Sequence, residues 1–377
     1  MRVLKKPASV WLAFGMFSLV ELWLAVHFRE NDVGEYHRYA LLALTPPWLH
    51  HWPKEYPAMS QFIFLLPLLL PFSYRFSFAV LTLVALAVLL SEGMKHHGTQ
   101  WGIKVLGYLS VGTIGLFSER YDIFAALFGF LAIDQALQKH WSWAWTFSVI
   151  GFLLKLFPAV FWPVFLIAEW RETRRIRWDR LVLSLLAGLV MVGFQALLAS
   201  HQAFTSYRYL LNRPIEIGSL AASLTALLSH PHLFYAFGSV DVTAHGLAHF
   251  IGDSLTLVGI ISWLAVFWAQ WRGSLDIIEA AILTLGILLL TTKVFSAQYL
   301  IWLAPILALK RGNLSFILAY LLTSLGYPVG YAIRGMFPWV IYIFAARNLL
   351  LTSGFVLFVW RQSRSVSTAV LKQGISR

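Results

Sequence analysis

A group of acidic side chains lies between residues 28 and 58, in a chain in which only 12% of the residues are charged. The group consists of Glu30, Asp32, Glu35 and Glu55. Asp32 follows the first apolar run by only a few residues, so that run would hold it close to a membrane interface. A carboxylate there could act as a general base that takes a proton from a hydroxyl group, which contributes about 10²- to 10⁴-fold in rate. We predict this role for Asp32; the alternative is a solvated loop carboxylate.

Residues near Asp32 favour the catalytic interpretation. Glu35 lies three residues further on, on the same side of a predicted helix, and Tyr36 is adjacent to it. The sequence Glu55-Tyr56-Pro57 closes the stretch and adds a carboxylate and a hydroxyl that could bind substrate. Its alternative explanation is a helix start, with proline in the first turn and the acidic side chain near the positive end of the helix dipole.

Lys155 is the most unusual cation of the sequence because it lies inside an apolar run, far from either end of that run. An ionisable group within a membrane span costs about 2.5 to 3.5 kcal/mol on insertion scales and is a functional candidate by default. We predict that Lys155 binds a phosphate group. The alternatives are a lysine whose amine reaches the interface, or a partner for a buried carboxylate such as Asp122. Arg120 and Asp122 could contact substrate, or could pair with each other at a helix end.

Further cations lie in two polar segments later in the chain. Arginine suits bidentate phosphate binding, and a fixed cation stabilises the charge that develops on a leaving phosphate. We therefore predict that Arg208, Arg213 and Lys293 bind a phosphate. Glu216 and Gln298, in the same two segments, are expected to bind substrate. The alternatives are solvated loop arginines and a lysine that anchors its loop at the interface.

The histidines and glycines show no established metal or nucleotide motif. The twelve histidines cluster only as His50-His51, His96-His97, His230 with His232, and His245 with His249. The last pair has helical spacing but lacks the intervening glutamate of a zinc peptidase motif. We therefore expect no metal and no other cofactor. The sequence also lacks a Gly-rich phosphate loop. If the protein transfers a chemical group, this lack argues against a nucleotide as the carrier of that group and favours a lipid-linked donor.

Composition limits the class of protein. The chain has 377 residues, of which 59% are hydrophobic, and a mean hydropathy of +0.71, which is typical of a multi-pass membrane protein. The net charge of +12 comes from short basic clusters between apolar runs, the largest at residues 171–180. Such clusters indicate cytoplasmic ends of spans and contacts with membrane lipids, and argue against nucleic acid as a partner. The chain has no cysteine, which excludes thiolate chemistry and disulfides.

The apolar runs predict an all-α integral membrane protein with about 11 to 13 transmembrane elements, because a span needs roughly 20 residues. We expect a single domain of residues 1–377, with a first extracytoplasmic loop at 28–57 and a long one at 200–250. The first run is too long for a cleaved signal peptide and is expected to be retained. The predicted helices are 9–27, 33–44, 57–71, 76–90, 107–117, 121–137, 144–170 with a break at 155–158, 181–199, 251–271, 277–291, 299–309, 314–333 and 339–360.

The basic clusters also predict sidedness. With residues 171–180 inside, residues 200–249 and 293–298 lie on the same outer side as Asp32. The order of spans between residues 57 and 155 stays open. Simple alternation places Arg120 and Asp122 inside, whereas re-entrant segments at 57–71 and 155–158 place them outside, in better agreement with the charge rule.

Taken together, these motifs resemble the bacterial polyprenyl-phosphate-mannose-dependent α-mannosyltransferases, a GT-C-type group (glycosyltransferase family 87) that includes enzymes of phosphatidylinositol mannoside assembly. The matching segments are Asp32 with Tyr36, Glu55-Tyr56-Pro57, Arg120-Tyr121-Asp122, Lys155-Leu156-Phe157-Pro158, Arg213 to Ser219 and Lys293 to Tyr299. They run in family order from about residue 30 to 305. The chain departs from the family pattern at Ala58 and Ala297, where prolines are common; neither change alters a charge.

The resemblance implies a GT-C fold and an inverting transfer of a hexose, mannose above all, from a polyprenyl-phosphate donor. The acceptor would be a lipid or a glycan, Asp32 would be the base, and no metal would be needed. The enzyme would span the bacterial cytoplasmic membrane with its active site facing outward. The alternative is a transporter or flippase of lipid-linked sugars. The carboxylates gathered on one face and the lack of an internal repeat argue against it.

Overall fold

The computed structural model describes residues 6–27, 31–199, 204–243, 246–333, 336 and 339–374. For residue 31 and for residues 362–374 it describes the backbone alone. Glu30, residues 200–203 of the predicted long loop, and His245 therefore lie outside the described residues. Within the described part, six helices are long and apolar enough to cross a membrane. They are Pro7–His27, Tyr74–Gly112, Trp178–Leu198, Leu247–Arg272, Leu314–Ala332 and Val340–Arg361. Four shorter apolar helices accompany them, at Ser60–Leu69, Trp141–Leu154, Ile277–Thr291 and Ala297–Leu307. The chain is therefore a predominantly helical, multi-pass membrane protein, as predicted.

The chain forms two compact units, where the sequence analysis expected one domain. Unit 1 comprises Met1–Arg213 and Gln298–Leu309; unit 2 comprises Pro214–Ala297 and Lys310–Arg377. Unit 1 contains the helices α1 (Pro7–His27), α2 (Asn31–Ala43), α3 (Ser60–Leu65), α4 (Tyr74–Gly112), α5 (Asp122–Leu137), α6 (Trp141–Leu154), α7 (Trp162–Thr173), α8 (Trp178–Leu198) and α9 (Thr205–Asn212), and later α13 (Leu300–Leu307). Turns of 3₁₀ helix lie at Leu66–Leu69, Phe117–Glu119, Phe157–Phe161 and Ala297–Tyr299.

A break in α4 shapes unit 1. Gly98 has φ 73° and ψ 177°, a combination that essentially only glycine adopts, and it divides the 39-residue helix into two parts. The second part holds α13, because Trp101 Nε1 donates to the carbonyl of Pro305 over 2.9 Å. Lys104 Nζ donates to the carbonyl of Ala308 over 3.3 Å. These bonds fix the helix that carries Trp302.

The turn that follows α4 is held from the first helix. Glu21 of α1 is fully buried and accepts from Gly115 N over 2.9 Å. It also accepts from Ser118 N over 3.1 Å and from Ser118 Oγ over 2.8 Å. A buried carboxylate is tolerated when hydrogen bonds satisfy it, and these three bonds fix the backbone two residues before Arg120.

Unit 2 contains the helices α10 (Leu220–Leu228), α11 (Leu247–Arg272), α12 (Ile277–Thr291), α14 (Leu314–Ser324), α15 (Gly330–Ala332) and α16 (Val340–Gly374), with a π-helical turn at Leu325–Val329. It also contains the strands β1 (Ile215–Glu216), β2 (His232–Ala236) and β3 (Ser239–Thr243). They form one antiparallel sheet in the order β1-β3-β2, in which Glu216 lies opposite Asp241. The core of this region joins the sheet to α10, α11 and the start of α16.

Most predicted helices are observed close to their predicted bounds, and the break at 155–158 separates α6 from the turn before α7. The prediction of separate helices at 76–90 and 107–117 is wrong, because both segments belong largely to α4, which continues across the break at Gly98 and ends at Gly112. The structure also differs from the prediction between residues 204 and 243. The predicted polar loop there contains α9, α10 and the three-stranded sheet. Strands of two and five residues carry too few alternating positions for the sequence pattern to reveal them.

Candidate functional site

Three consecutive residues, Arg120-Tyr121-Asp122, form the centre of the candidate site in unit 1. They lie between a 3₁₀ turn and the start of α5, and Arg120 is extended, with φ −129° and ψ 135°. The backbone changes from extended at Arg120 to helical from Asp122 onward, and each of the three side chains meets a different partner.

Arg120 forms an ion pair with Asp32, the predicted base, in the first turn of α2. The side chains are 11% and 28% exposed respectively, so the pair lies at the edge of the protein interior, with Asp32 still reachable from solvent. The sequence had left open a pair between Arg120 and its neighbour Asp122; the ion pair in the structure joins Arg120 to Asp32. It gives Asp32 a fixed cationic partner that sequence reasoning did not predict.

Asp122 forms a second, deeper pair with Lys155. Lys155 Nζ donates to Asp122 Oδ1 over 2.7 Å, and the side chains are 14% and 1% exposed. Trp302 Nε1 donates to the same oxygen over 2.6 Å. Lys155 follows the last residue of α6 in an extended conformation, which frees its side chain from the helix. Its partnership with Asp122 is one of the two alternatives that the sequence left open.

Aromatic rings enclose the Lys155 amine. It lies 4.6 Å from the centroid of the Tyr121 ring, 5.4 Å from that of Tyr299 and 5.2 Å from that of Trp302. Trp302 is itself stacked between Phe157 at 4.2 Å and Tyr299 at 4.0 Å. Cation–π attraction of this kind is stronger where water is excluded. The rings therefore hold the amine in place.

Tyr121 links this aromatic group to the segments around Asp32. Its ring packs edge-on against Tyr36, Tyr56 and Phe64 at centroid distances of 5.9, 5.3 and 5.5 Å. The Tyr121 hydroxyl is buried and has no hydrogen-bond partner among the described residues. A buried donor without a partner costs free energy, and a sugar hydroxyl could supply that partner.

Two further cations lie near Lys155. Arg120 and Arg213 act electrostatically on Lys155, as Asp122 does. Arg213 follows the last residue of α9 and lies over the ring of Tyr209 at 5.9 Å. A group of three cations of this kind suits an anionic ligand such as a phosphodiester.

The remaining predicted residues of unit 1 lie at the periphery of this group. Tyr39 Oη donates to Glu55 Oε2 over 2.6 Å, which ties α2 to the segment before Pro57. Glu35 forms an ion pair with Arg38 and is 49% exposed, so it is directed toward solvent. Arg208 is exposed on α9 and Gln298 is half-buried before α13.

Glu216 and Lys293 belong to unit 2 and meet there. Glu216 N donates to the carbonyl of Lys293 over 2.9 Å, and Ser296 Oγ donates to Glu216 Oε1 over 2.6 Å. The two motifs that contain them are therefore neighbours within their unit, although Glu216 and Lys293 are 77 positions apart in the sequence. Their predicted roles toward substrate stay predictions.

Several residues of these networks were not predicted from the sequence. Glu21 and Arg347 each lie inside a predicted span and are fully buried, so the argument applied to Lys155 would have found both. Trp302 and Tyr299 carried no such signal, since the chain has 17 tryptophans and 14 tyrosines and many of them suit the membrane interface.

The described residues contain no group of three or more histidine, cysteine, aspartate or glutamate side chains that could hold a metal ion. The predicted histidine cluster at 96–97 instead flanks Asp134, with His96 Nδ1 at 2.9 Å and His97 Nε2 at 2.7 Å from its carboxylate oxygens. This contact links α4 to α5.

No protein-family model matches the chain, and no curated protein matches it. Among solved structures, the chain is similar to ArnT from Cupriavidus metallidurans, crystallised in the apo state, with a TM-score of 0.48 and 13% sequence identity over 94% of this chain and 77% of that one. A likeness of this size supports no conclusion about family or activity.

Proposed function

We propose that the protein is a GT-C-type membrane glycosyltransferase that transfers a hexose, mannose above all, from a polyprenyl-phosphate donor to a hydroxyl group of a lipid or glycan acceptor. The observation that carries the proposal is the group of charges around Arg120-Tyr121-Asp122. It contains a partly exposed carboxylate paired with Arg120, two further cations at Lys155 and Arg213, and a buried hydroxyl with no hydrogen-bond partner among the described residues. The resemblance of the motifs to the polyprenyl-phosphate-mannose-dependent enzymes supports the choice of sugar and donor.

The proposed reaction uses Asp32 as the base. The acceptor oxygen forms a bond to the anomeric carbon of the sugar, the bond from that carbon to the phosphate oxygen breaks, and the acceptor proton moves to Asp32. The leaving group is the polyprenyl phosphate. Attack from the face opposite the phosphate inverts the configuration.

Arg120 is placed to link donor binding to proton transfer at Asp32. It is paired with Asp32 and lies within electrostatic range of Lys155, so a donor phosphate that binds Arg120 would compete with Asp32 for the guanidinium. Binding of the donor would then leave the Asp32 carboxylate available to accept a proton. Lys155, held by Asp122 and three rings, would keep this arrangement rigid.

The test measures transfer from radiolabelled polyprenyl-phosphate mannose to a panel of lipid and glycan acceptors by the purified protein. We expect Asp32→Asn to lower the rate about 10²- to 10⁴-fold while donor binding becomes no weaker, because Arg120 loses the carboxylate that competes with the donor phosphate. Asp32→Glu should retain more activity than Asp32→Asn. Glu92→Gln is the matched control, because Glu92 is also a carboxylate in an ion pair, with Lys95 at 2.7 Å, but lies on α4 and is 38% exposed. An Asp32→Asn rate within twofold of the native rate would refute the role of Asp32.

One observation favours a transporter of lipid-linked sugars as a second candidate. The buried Asp122–Lys155 pair is of the type found in transport pathways. Vesicles that contain the purified protein distinguish the two functions. A transporter would move the labelled lipid across the bilayer without forming a glycosidic bond, and Asp32→Asn would leave that movement intact.

A further inference from the structure

Arg347 is a fully buried arginine near the start of the last membrane helix of unit 2. Both Arg347 and its neighbour Asn348 are 0% exposed, within the apolar span Val340–Arg361. A charged side chain inside a span is rare and usually has a function. No role for either residue follows from the motifs described above.

The two side chains converge on one backbone carbonyl. Arg347 Nη2 donates to the carbonyl oxygen of Gly218, and Asn348 Nδ2 donates to the same oxygen over 3.1 Å. Asn348 Nδ2 also donates to Ser223 Oγ over 2.9 Å, and Arg347 Nε donates to Asn348 Oδ1 over 3.1 Å. The last helix thus holds the segment that runs from Glu216 into α10.

Arg347 also holds the segment that begins at Lys293. Its guanidinium lies 3.9 Å from the centroid of the Phe295 ring and 4.7 Å from that of Phe344. The backbones of Gly218 and Phe295 approach so closely that a Cβ atom at position 218 would collide with the Phe295 carbonyl oxygen. Arg347 therefore contacts both segments at the point where they meet.

Arg347 also acts on the segment around Glu216 through its charge. Glu216 and Asp241 lie directly opposite each other in β1 and β3 and are 8% and 0% exposed. Like charges in this position repel, and burial strengthens the repulsion. Arg347 interacts electrostatically with Glu216 and so supplies positive charge where two carboxylates face each other.

We infer that Arg347 is a positioning residue that sets the relative placement of Glu216 and Lys293, and thereby the affinity for the anionic sugar donor. This inference rests on the proposed function and on the prediction from the sequence that Lys293 binds the donor phosphate and Glu216 binds substrate. Arg347 acts through Gly218 and Phe295 and does not itself touch the donor.

The first measurement is steady-state transfer from polyprenyl-phosphate mannose by Arg347→Met, Arg347→Lys and Arg361→Met. Arg361 is the matched control, because it lies on the same helix and is exposed. We expect Arg347→Met to raise the apparent KM for the donor about 10- to 100-fold, the range that a small misplacement of a binding group produces. The KM for the acceptor should stay within about twofold. Arg347→Lys should recover part of the donor affinity because it retains the charge, and Arg361→Met should match the native protein.

A merely structural arginine gives a different result. It would lower the fraction of active enzyme, and hence kcat, without changing either KM; that outcome overturns the inference. The second measurement is amide hydrogen exchange in Arg347→Met, which does not depend on activity. We expect faster exchange at residues 215–219 and 293–296, where Glu216 N bonds to the Lys293 carbonyl, and unchanged exchange in α12. If the native protein transfers no sugar, the proposed function fails, while unchanged exchange in these two segments would show that Arg347 does not hold them.

Discussion

The Asp122–Lys155 pair gives the sharpest test of the candidate site. Asp122 is 1% exposed and Lys155 is 14% exposed, with 2.7 Å between Nζ and Oδ1. Removal of one partner from a buried ion pair costs about 3 to 5 kcal/mol, because the other charge is left without compensation. We therefore expect Lys155→Met to lower the free energy of unfolding by about 3 kcal/mol, at the low end of the range, since Trp302 still donates to Asp122.

The double variant Lys155→Met/Asp122→Asn separates the pair from its surroundings. Asparagine retains an oxygen that can accept from Trp302, and no charge remains in the pair, so the loss should be about 1 to 2 kcal/mol. Each single change should cost more than the double change, which makes the coupling energy about 3 kcal/mol or larger. The measurement is equilibrium unfolding in mixed micelles, monitored by tryptophan fluorescence.

The exposed pair of Lys95 with Glu92 is the control for this cycle. It has the same Nζ-to-oxygen distance of 2.7 Å, but its side chains are 57% and 38% exposed. Exposed pairs contribute about 0 to 1 kcal/mol, so Lys95→Met should have little effect. If Lys155→Met and Asp122→Asn prove additive, within about 0.5 kcal/mol, the pair does not act as a unit and the rigidity assigned to it is wrong.

Two further variants test the surroundings of this pair. Trp302→Phe retains an aromatic ring but loses the bond of 2.6 Å to Asp122, so it should cost about 1.5 to 3 kcal/mol in unfolding free energy, because its acceptor is charged. Trp263→Phe, which loses a bond to a neutral carbonyl, should cost about 0.5 to 1.5 kcal/mol, and equal losses would contradict the assignment. Glu21→Leu leaves three hydrogen-bond donors of residues 115–118 without their acceptor, so it should speed amide exchange at these residues and reduce sugar transfer. Glu21→Gln should have a smaller effect on both. Unchanged exchange after Glu21→Leu would show that Glu21 does not hold this turn.

The sequence predicted most helix bounds because many apolar runs end at a proline or at charged residues. The run broken at 155–158 is an example: Pro158 cannot donate to a helix, and the observed break between α6 and α7 spans this position. Sequence reasoning also selected Asp32, from its place in an acidic segment beside the first apolar run, and Lys155, because a charge inside an apolar run is a functional candidate. It named Arg120 and Asp122 as possible substrate contacts. The structure brings these four together in unit 1.

The sequence could not predict how these charges pair. Arg120 and Asp122 are two residues apart and each could satisfy the other, but the start of α5 directs them to different partners. Those partners are 88 residues back, at Asp32, and 33 residues on, at Lys155. Such contacts depend on tertiary packing, which local patterns do not contain. Arg347 was missed for another reason: it lies in the span predicted at 339–360, which was assigned from its apolar residues alone.

The arrangement at residues 120–122 limits how this region can change in length. Three adjacent side chains serve three separate neighbours, so adding or deleting a single residue before α5 would rotate every one of them away at once. Substitutions can be compensated one position at a time, whereas an insertion or deletion here cannot. We expect natural variation in loop length to be accommodated elsewhere, for instance at the exposed turn around Lys139, where α5 ends.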